Sequence, residues 1–282
     1  MAADARRARL LAGLRARIAG LERHTSPQTP FGSLSEPACT HTAWTLGAPE
    51  IDRYLAGGLN AAALHEVKGE GCGTAAADWM AALGFALRLT LRRLDALAPH
   101  SGGAPLQVLW CWPSGLAREL GRPYGHGLAG LGLAPSACLF VETQRACDAL
   151  WSMEEGLRSQ SLALVIGVVP EVALTPARRL SLAAAGAAAP CLLITDPRAP
   201  STASTATRWR VGTCVSAPHA FEAGAPGAPR YAVSLERCRE GARTRKASPL
   251  LLEWSDETHR FRMASRLAHR ALAPRRAGLG AG

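Results

Sequence analysis

The chain has 282 residues, 48% hydrophobic and 19% charged, a balance that excludes global disorder and allows a sizeable core. The 32 Lys and Arg outnumber the 22 Asp and Glu, giving a net charge of +10; either a polyanionic partner or an arginine-rich solvated surface accounts for this. The 8 cysteines include no C-x-x-C pair, which argues against zinc and for buried free thiols in a reducing compartment.

Residues 4–23 read as an amphipathic helix. Leu10, Leu14, Ile18 and Leu21 fall on one face and arginines cover the rest. Arginines also interrupt this segment too often for a signal peptide, and no apolar run reaches membrane-spanning length, so a cytoplasmic protein is expected. Residues 24–42 hold Pro27, Pro30, Gly32 and Pro37 among Ser and Thr and read as a linker. A helix set apart in this way must dock back on its own domain or on another molecule.

From residue 43 the pattern becomes α/β. A short helix and the Gly57-Gly58 turn precede a strand at 63–68. A long helix from about 75 to 94 follows, with Met80, Leu83, Leu87, Leu91 and Leu94 on one face and Trp79, Ala82 and Ala86 making a second face apolar. Continuous apolar runs at 106–112, 137–141, 162–169 and 191–195 predict further strands of a parallel sheet, separated by helical stretches near 115–132, 146–158 and 176–188. Thr143 is the expected cap of the middle helix, and Glu154 and Arg158 are expected as an i, i+4 pair on its exposed side. Segments 208–216, 230–237 and 249–254 lack intervening helices and predict three antiparallel strands along one edge. Beyond Arg260 the chain is basic and reads as a frayed tail. The expected divisions are therefore a helix at 1–23, a linker at 24–42, a domain at 43–258 and a flexible basic tail at 259–282.

The turn after the first strand sits where a phosphate-binding loop would carry G-x-x-x-x-G-K-[ST]. Gly69, Gly71, Gly73 and Thr74 are present, but counting from Gly69 puts Ala75 and Ala76 at the Lys and hydroxyl positions. Taking Gly73 as the last glycine puts Thr74 and Ala75 there. Either the glycines only make a tight strand-to-helix turn, or the helix start retains a weak anion site. No acid follows the second strand before Glu119, and none ends the fourth before Glu171. The glycines are therefore read as a vestigial loop without hydrolysis, cofactor or metal. His65, inside a strand, reads as a satisfied core histidine, and Trp209 and Trp254 as core residues.

Between Glu236 and Arg276 there are 11 Lys and Arg against 5 acids. Arg239, Arg243, Arg245 and Lys246 at a hairpin tip, with Arg262, Arg266 and Arg270 beyond it, are candidates for phosphate contacts or for a protein partner. Aromatic residues for base stacking are scarce there, so any DNA binding would be electrostatic and indifferent to sequence.

Several segments in order resemble the core of the recombinase RecA and, more closely, the ImuA family of RecA-related accessory proteins of inducible mutagenesis. They are LGAPEID at 46–52, ALHEV at 63–67, VLW at 108–110, ALWSMEEGLR at 149–158, ATRWRV at 206–211 and LEW at 252–254. The resemblance implies a RecA-like, mainly parallel twisted sheet flanked by helices, with antiparallel edge strands toward the C-terminus. It also implies a non-catalytic accessory factor of SOS-induced translesion synthesis, nucleoid-associated when engaged. The implied partners are an ImuB-type Y-family-like protein, RecA, an error-prone polymerase subunit and DNA, with no membrane. The basic arm at 1–23 would be a partner-docking element. The rival readings are a RecA-like ATPase with an unusual loop and an SOS-linked cell-division inhibitor.

Overall fold

In the computed structural model, residues 44–71, 75–219, 221–222, 224–239 and 249–264 are described. The expected helix at 1–23, the linker and most of the basic tail lie outside them. The described elements run α1 (Pro49–Tyr54), β1 (Leu64–Gly69), α2 (Ala75–Leu97), β2 (Gln107–Pro113), α3 (Ser114–Leu120), α4 (Gly125–Gly130), β3 (Cys138–Thr143) and α5 (Ala146–Arg158). They continue with β4 (Leu162–Val168), α6 (Leu174–Ala187), β5 (Cys191–Thr195), β6 (Thr207–Thr213), β7 (Arg230–Cys238), β8 (Leu250–Ser255) and β9 (Arg260–Met263).

The strands form one sheet in the order β3-β2-β4-β5-β1-β6-β7-β8-β9. Pairing is parallel from β3 through β6 and antiparallel from β6 through β9. The expected α/β class and antiparallel C-terminal edge are both present. Two details differ: β6 runs parallel to β1, so the antiparallel part begins only at β7, and a further strand, β9, follows β8.

Strand periodicity builds two cores. In β5, Leu192 and Ile194 join the core beneath α2, while Cys191 and Leu193 join the core beneath α5 and α6. Each side chain points away from its neighbours in sequence, so an apolar run feeds both faces of the sheet. Burial pushes the Cys111 thiol up to about 12 and raises that of Cys191, which makes both poor nucleophiles. The other described cysteines do not follow the expected burial: Cys138, Cys214 and Cys238 are half-buried and Cys147 is exposed.

The long helix is buried on both expected apolar faces except at Met80. Trp79, Ala82, Phe85, Ala86, Leu87, Leu89 and Leu91 lie in the core and Leu83 and Leu94 pack against it, whereas Met80 is 45% exposed. Leucine spacing marked an apolar face, but the bulky aromatics at 79 and 85 take the sheet side. The Met80–Leu83–Leu87 flank lies instead against the α3–α4 segment, where it lines a cavity.

Around α5 two expectations are corrected. Its N-cap is Arg145, and the Thr143 hydroxyl donates to the Arg145 carbonyl. Glu154 is buried, not exposed. Its carboxylate accepts Arg158 Nη2 at 2.5 Å and Arg179 Nη2 at 2.6 Å, tying α5 to α6. The i, i+4 spacing with Arg158 is present, but α6 covers the carboxylate.

The basic stretch at 260–263 is a strand and not tail. Its alternation Arg-Phe-Arg-Met puts Phe261 into the core, with ring centroids 4.9 Å from Trp254 and 5.3 Å from Phe85. On the opposite face, the buried Glu253 of β8 receives Arg230 of β7 at 2.7 Å and also Arg262 of β9. Burial alone would raise the Glu253 pKa, but the hydrogen bonds from Arg262 and Arg230 hold it below the ordinary carboxylate value. A depressed pKa contributes stability that is complete above the unfolded value of 4.5 and is lost as pH falls through the folded one. Glu253→Gln should therefore cost about 3 kcal/mol at neutral pH in chemical denaturation. Its gap to wild type should narrow as pH drops below that unfolded value.

Candidate functional site

The central strand β1 is buried along its whole length, yet it carries His65, Glu66 and Lys68. A charge with no water must find its partners inside the protein. His65 does so on one face: its ring nitrogens lie 2.8 Å from Thr207 Oγ1 and 2.8 Å from the Asn60 carbonyl, which makes it the satisfied core histidine that was expected. Glu66 and Lys68 share the other face with Thr195 of β5 and with Arg208 and Arg210 of β6, all within parallel register.

Glu66 is the centre of this group. It accepts Arg208 Nε at 2.9 Å and the Thr195 hydroxyl at 3.1 Å, and it pairs with Lys68 Nζ at 3.5 Å. Lys68 donates to the Ala199 carbonyl at 2.6 Å. Burial lowers the Lys68 pKa, and Glu66 partly offsets that shift. Arg208 Nη2 reaches the Thr202 carbonyl at 2.5 Å, Arg210 Nη1 the Pro197 carbonyl at 2.7 Å, and Arg239 Nη2 the Ala203 carbonyl at 3.5 Å. Four cations thus hold the 196–206 loop against the sheet by its backbone oxygens. The sequence analysis missed this cluster. Its signal was present as charges two apart, at 66 and 68 and at 208 and 210, inside otherwise apolar strands.

The glycine turn adjoins this cluster. Gly69 is the last residue of β1 and not the first of the turn, and it pairs with Val211 of β6. A Cβ at Gly69 would fall 2.5 Å from both Cβ and the carbonyl oxygen of Asp78, so the first turns of α2 press directly on the strand. Gly71 has φ +81°, a left-handed conformation suited to glycine. Gly73 and Thr74 lie outside the described residues.

The charges here have the wrong sign for a phosphate. Asp78 is buried in the early part of α2, where a bound anion would otherwise meet the helix dipole. The Glu70 carboxylate lies against Gly212. Lys68 is turned beneath the sheet. Arg210 is held by the Gly69 carbonyl at 3.1 Å and by Glu236 at 2.8 Å.

The basic candidates are only partly visible. Arg239 is exposed apart from its contact with the 196–206 loop, whereas Arg262 is bound to Glu253. Arg243, Arg245, Lys246, Arg266 and Arg270 lie outside the described residues, as do Leu10, Leu14, Ile18 and Leu21. A separate apolar surface is well described. The outer strand β3 leaves Leu139 47% exposed on one face and Phe140, beside Trp110 and Trp112, 42% exposed on the other, and Trp151 of α5 is 58% exposed. Leu139 is on the α5 side of the sheet, since its partner Leu109 lies in the core beneath that helix. Exposed apolar residues on an outer strand are typical of binding surfaces.

Among the described residues, no helix is long and apolar enough to cross a membrane, and no three His, Cys, Asp or Glu gather as metal ligands.

These features define an α/β protein with a mostly parallel sheet, in which the lysine before the glycine turn is internally paired and the Glu70 carboxylate lies against Gly212 of β6. No protein-family model matches the chain. Two curated relatives do: Protein ImuA of Caulobacter vibrioides strain NA1000 / CB15N and Protein ImuA of strain ATCC 19089 / CIP 103742 / CB 15. Each is 29% identical over 251 residues, covering 83% of this chain and 93% of the relative. The chain is thus similar to ImuA proteins over most of its length.

Removing the hub of the buried cluster should be far more damaging than removing its lysine. Glu66→Gln should cost about 3–5 kcal/mol, because Arg208 and Lys68 would be left as buried cations. Lys68→Met should cost clearly less, because Arg208 and Thr195 still satisfy Glu66. Urea unfolding of the two variants measures both values.

Proposed function

We propose that this chain is a non-catalytic assembly factor of the SOS-induced, error-prone translesion DNA synthesis complex. Its similarity to ImuA proteins supports a role in the ImuA–ImuB mutagenesis system. In this reading the sheet is a RecA-like scaffold that binds an ImuB-type Y-family-like protein, and RecA, the error-prone polymerase subunit and DNA are further partners. Binding and not chemistry is the mechanism, with no nucleotide cofactor.

The observation that carries the absence of catalysis is the state of the glycine turn. A P-loop neutralises its phosphates with a lysine and with N–H groups at a helix start. Here Lys68 is committed to Glu66 and Ala199, Glu70 is part of the turn, and the buried Asp78 packs against Gly69 in the first turns of α2. A triphosphate would meet like charges at the point where it needs cations. The exposed Leu139, Phe140 and Trp151 support a protein partner at the β3 edge. Arg239 and the basic residues beyond it supply the charge for DNA.

Copurification of the tagged full-length chain from damage-treated cells, with ATP turnover assayed on the same sample, tests this reading. The ImuB-type protein should be recovered without turnover, and Mg-ATP should leave the melting temperature unchanged. A Leu139→Lys, Trp151→Glu double variant should lose at least about tenfold of that recovery at an unchanged melting temperature. Turnover, or full recovery by the double variant, would contradict the corresponding half of the proposal.

A further inference from the structure

A cavity of about 270 Å³ opens on the flank of α2, lined by none of the described residues of the glycine turn. Its walls include Leu83 and Leu87 of α2, Trp110 and Trp112 of β2, Leu116 of α3 and Leu128 of α4. Its size is near the lower end of small-molecule sites, about 300–1,000 Å³, and its apolar lining is typical of them.

One residue does not fit an apolar wall. Arg88 lines the cavity and is only 8% exposed. Its Nη1 donates to the Gly84 carbonyl at 3.1 Å, and its guanidinium stands 5.5 Å from the Tyr231 ring centre and 5.9 Å from that of Trp254. Its Nε is buried with no hydrogen-bond partner, and among the described residues no carboxylate forms an ion pair with it. Aromatic faces and one carbonyl offset only part of the cost of burying a full positive charge. The other cavity-lining arginine, Arg122, has its own carboxylate in Glu142 at 2.6 Å. Among the described residues, Arg88 is therefore the one cavity-lining arginine without a carboxylate partner.

The backbone leaves a path to it. Gly84 also lines the cavity, and a Cβ there would lie 3.7 Å from Arg88 Nη1 and 3.0 Å from Tyr231 Oη. Without that side chain the cavity extends over the bare helix to the guanidinium.

We propose that this cavity binds a small amphipathic monocarboxylate, with its apolar body between α2, β2 and α4 and its carboxylate on Arg88. The pairing gives the buried guanidinium the carboxylate that no described residue supplies; such charge-assisted bonds are about twice as strong as neutral ones. Trp110 and Trp112 in the wall give the site an optical signal.

Titration of the full-length protein with decanoate and with 1-decanol, followed by tryptophan fluorescence and melting temperature, tests the proposal. Decanoate should bind saturably and raise the melting temperature, at least about tenfold more tightly than the alcohol. Arg88→Met should bring the two ligands within about twofold of each other. Leu128→Trp, which fills the cavity and keeps Arg88, should abolish binding of both and serves as the test if Arg88→Met does not fold. Absence of saturable decanoate binding to the wild-type protein would overturn the proposal. So would equal affinity for acid and alcohol, or unchanged decanoate binding by Leu128→Trp.

Discussion

Glu66 has no exposure to solvent and sits in the middle strand of a nine-stranded sheet. Its carboxylate bonds to side chains from both neighbouring strands, Thr195 of β5 and Arg208 of β6, and pairs with Lys68 on its own strand. Those cations in turn hold the backbone of the 196–206 loop. The parallel half of the sheet and the beginning of its antiparallel half are thus fastened at one ionic hub. A buried charge network of this kind is a weak source of net stability but a strong constraint on register, because any slip would strand a charge without water.

The same constraint bears on function. Lys68 stands immediately before Gly69 at the end of β1, close enough in sequence to suggest a displaced phosphate-binding lysine. Its position on β1 turns the side chain beneath the sheet, where Glu66 and the Ala199 carbonyl take it up. Asp78 then lies against Gly69. The turn, in the proposed reading, keeps the outline of an anion site without a free lysine to serve it. In the proposed reading, the surface available for binding has moved to the outer strand β3, to the basic C-terminal residues and to the flank of α2.

Aromatic packing explains where the long helix leaves room. Phe85 packs among Trp209, Tyr231 and Phe261, with centroid separations of 5.3–6.0 Å. These rings come from α2, β6, β7 and β9, so the antiparallel edge contributes to the same core as the parallel half. Their bulk fixes the rotation of α2 and leaves Met80, Leu83 and Leu87 along one flank, where they line the cavity beside α3 and α4 and only Met80 is exposed. The cavity and its buried arginine follow from that rotation.

The α/β class, the parallel strands, their approximate bounds and the antiparallel edge were legible in the sequence, because apolar runs and period-two alternation are local consequences of sheet burial. The absence of a loop lysine and of the expected acids was equally legible, since it concerns residue types and not positions in space. The basic alternation at 260–263 was readable in principle, but its arginines hid the single Phe261 that makes it a strand. What only the tertiary structure decided was which partner each charge has. Glu154 is buried because α6 supplies Arg179 across it, Glu66 binds a residue 142 positions away, and Arg88 has aromatic rings where a carboxylate would be expected. Periodicity assigns a side chain to a face, but the charge on the opposite side comes from an element distant in sequence, and only folding brings the two together.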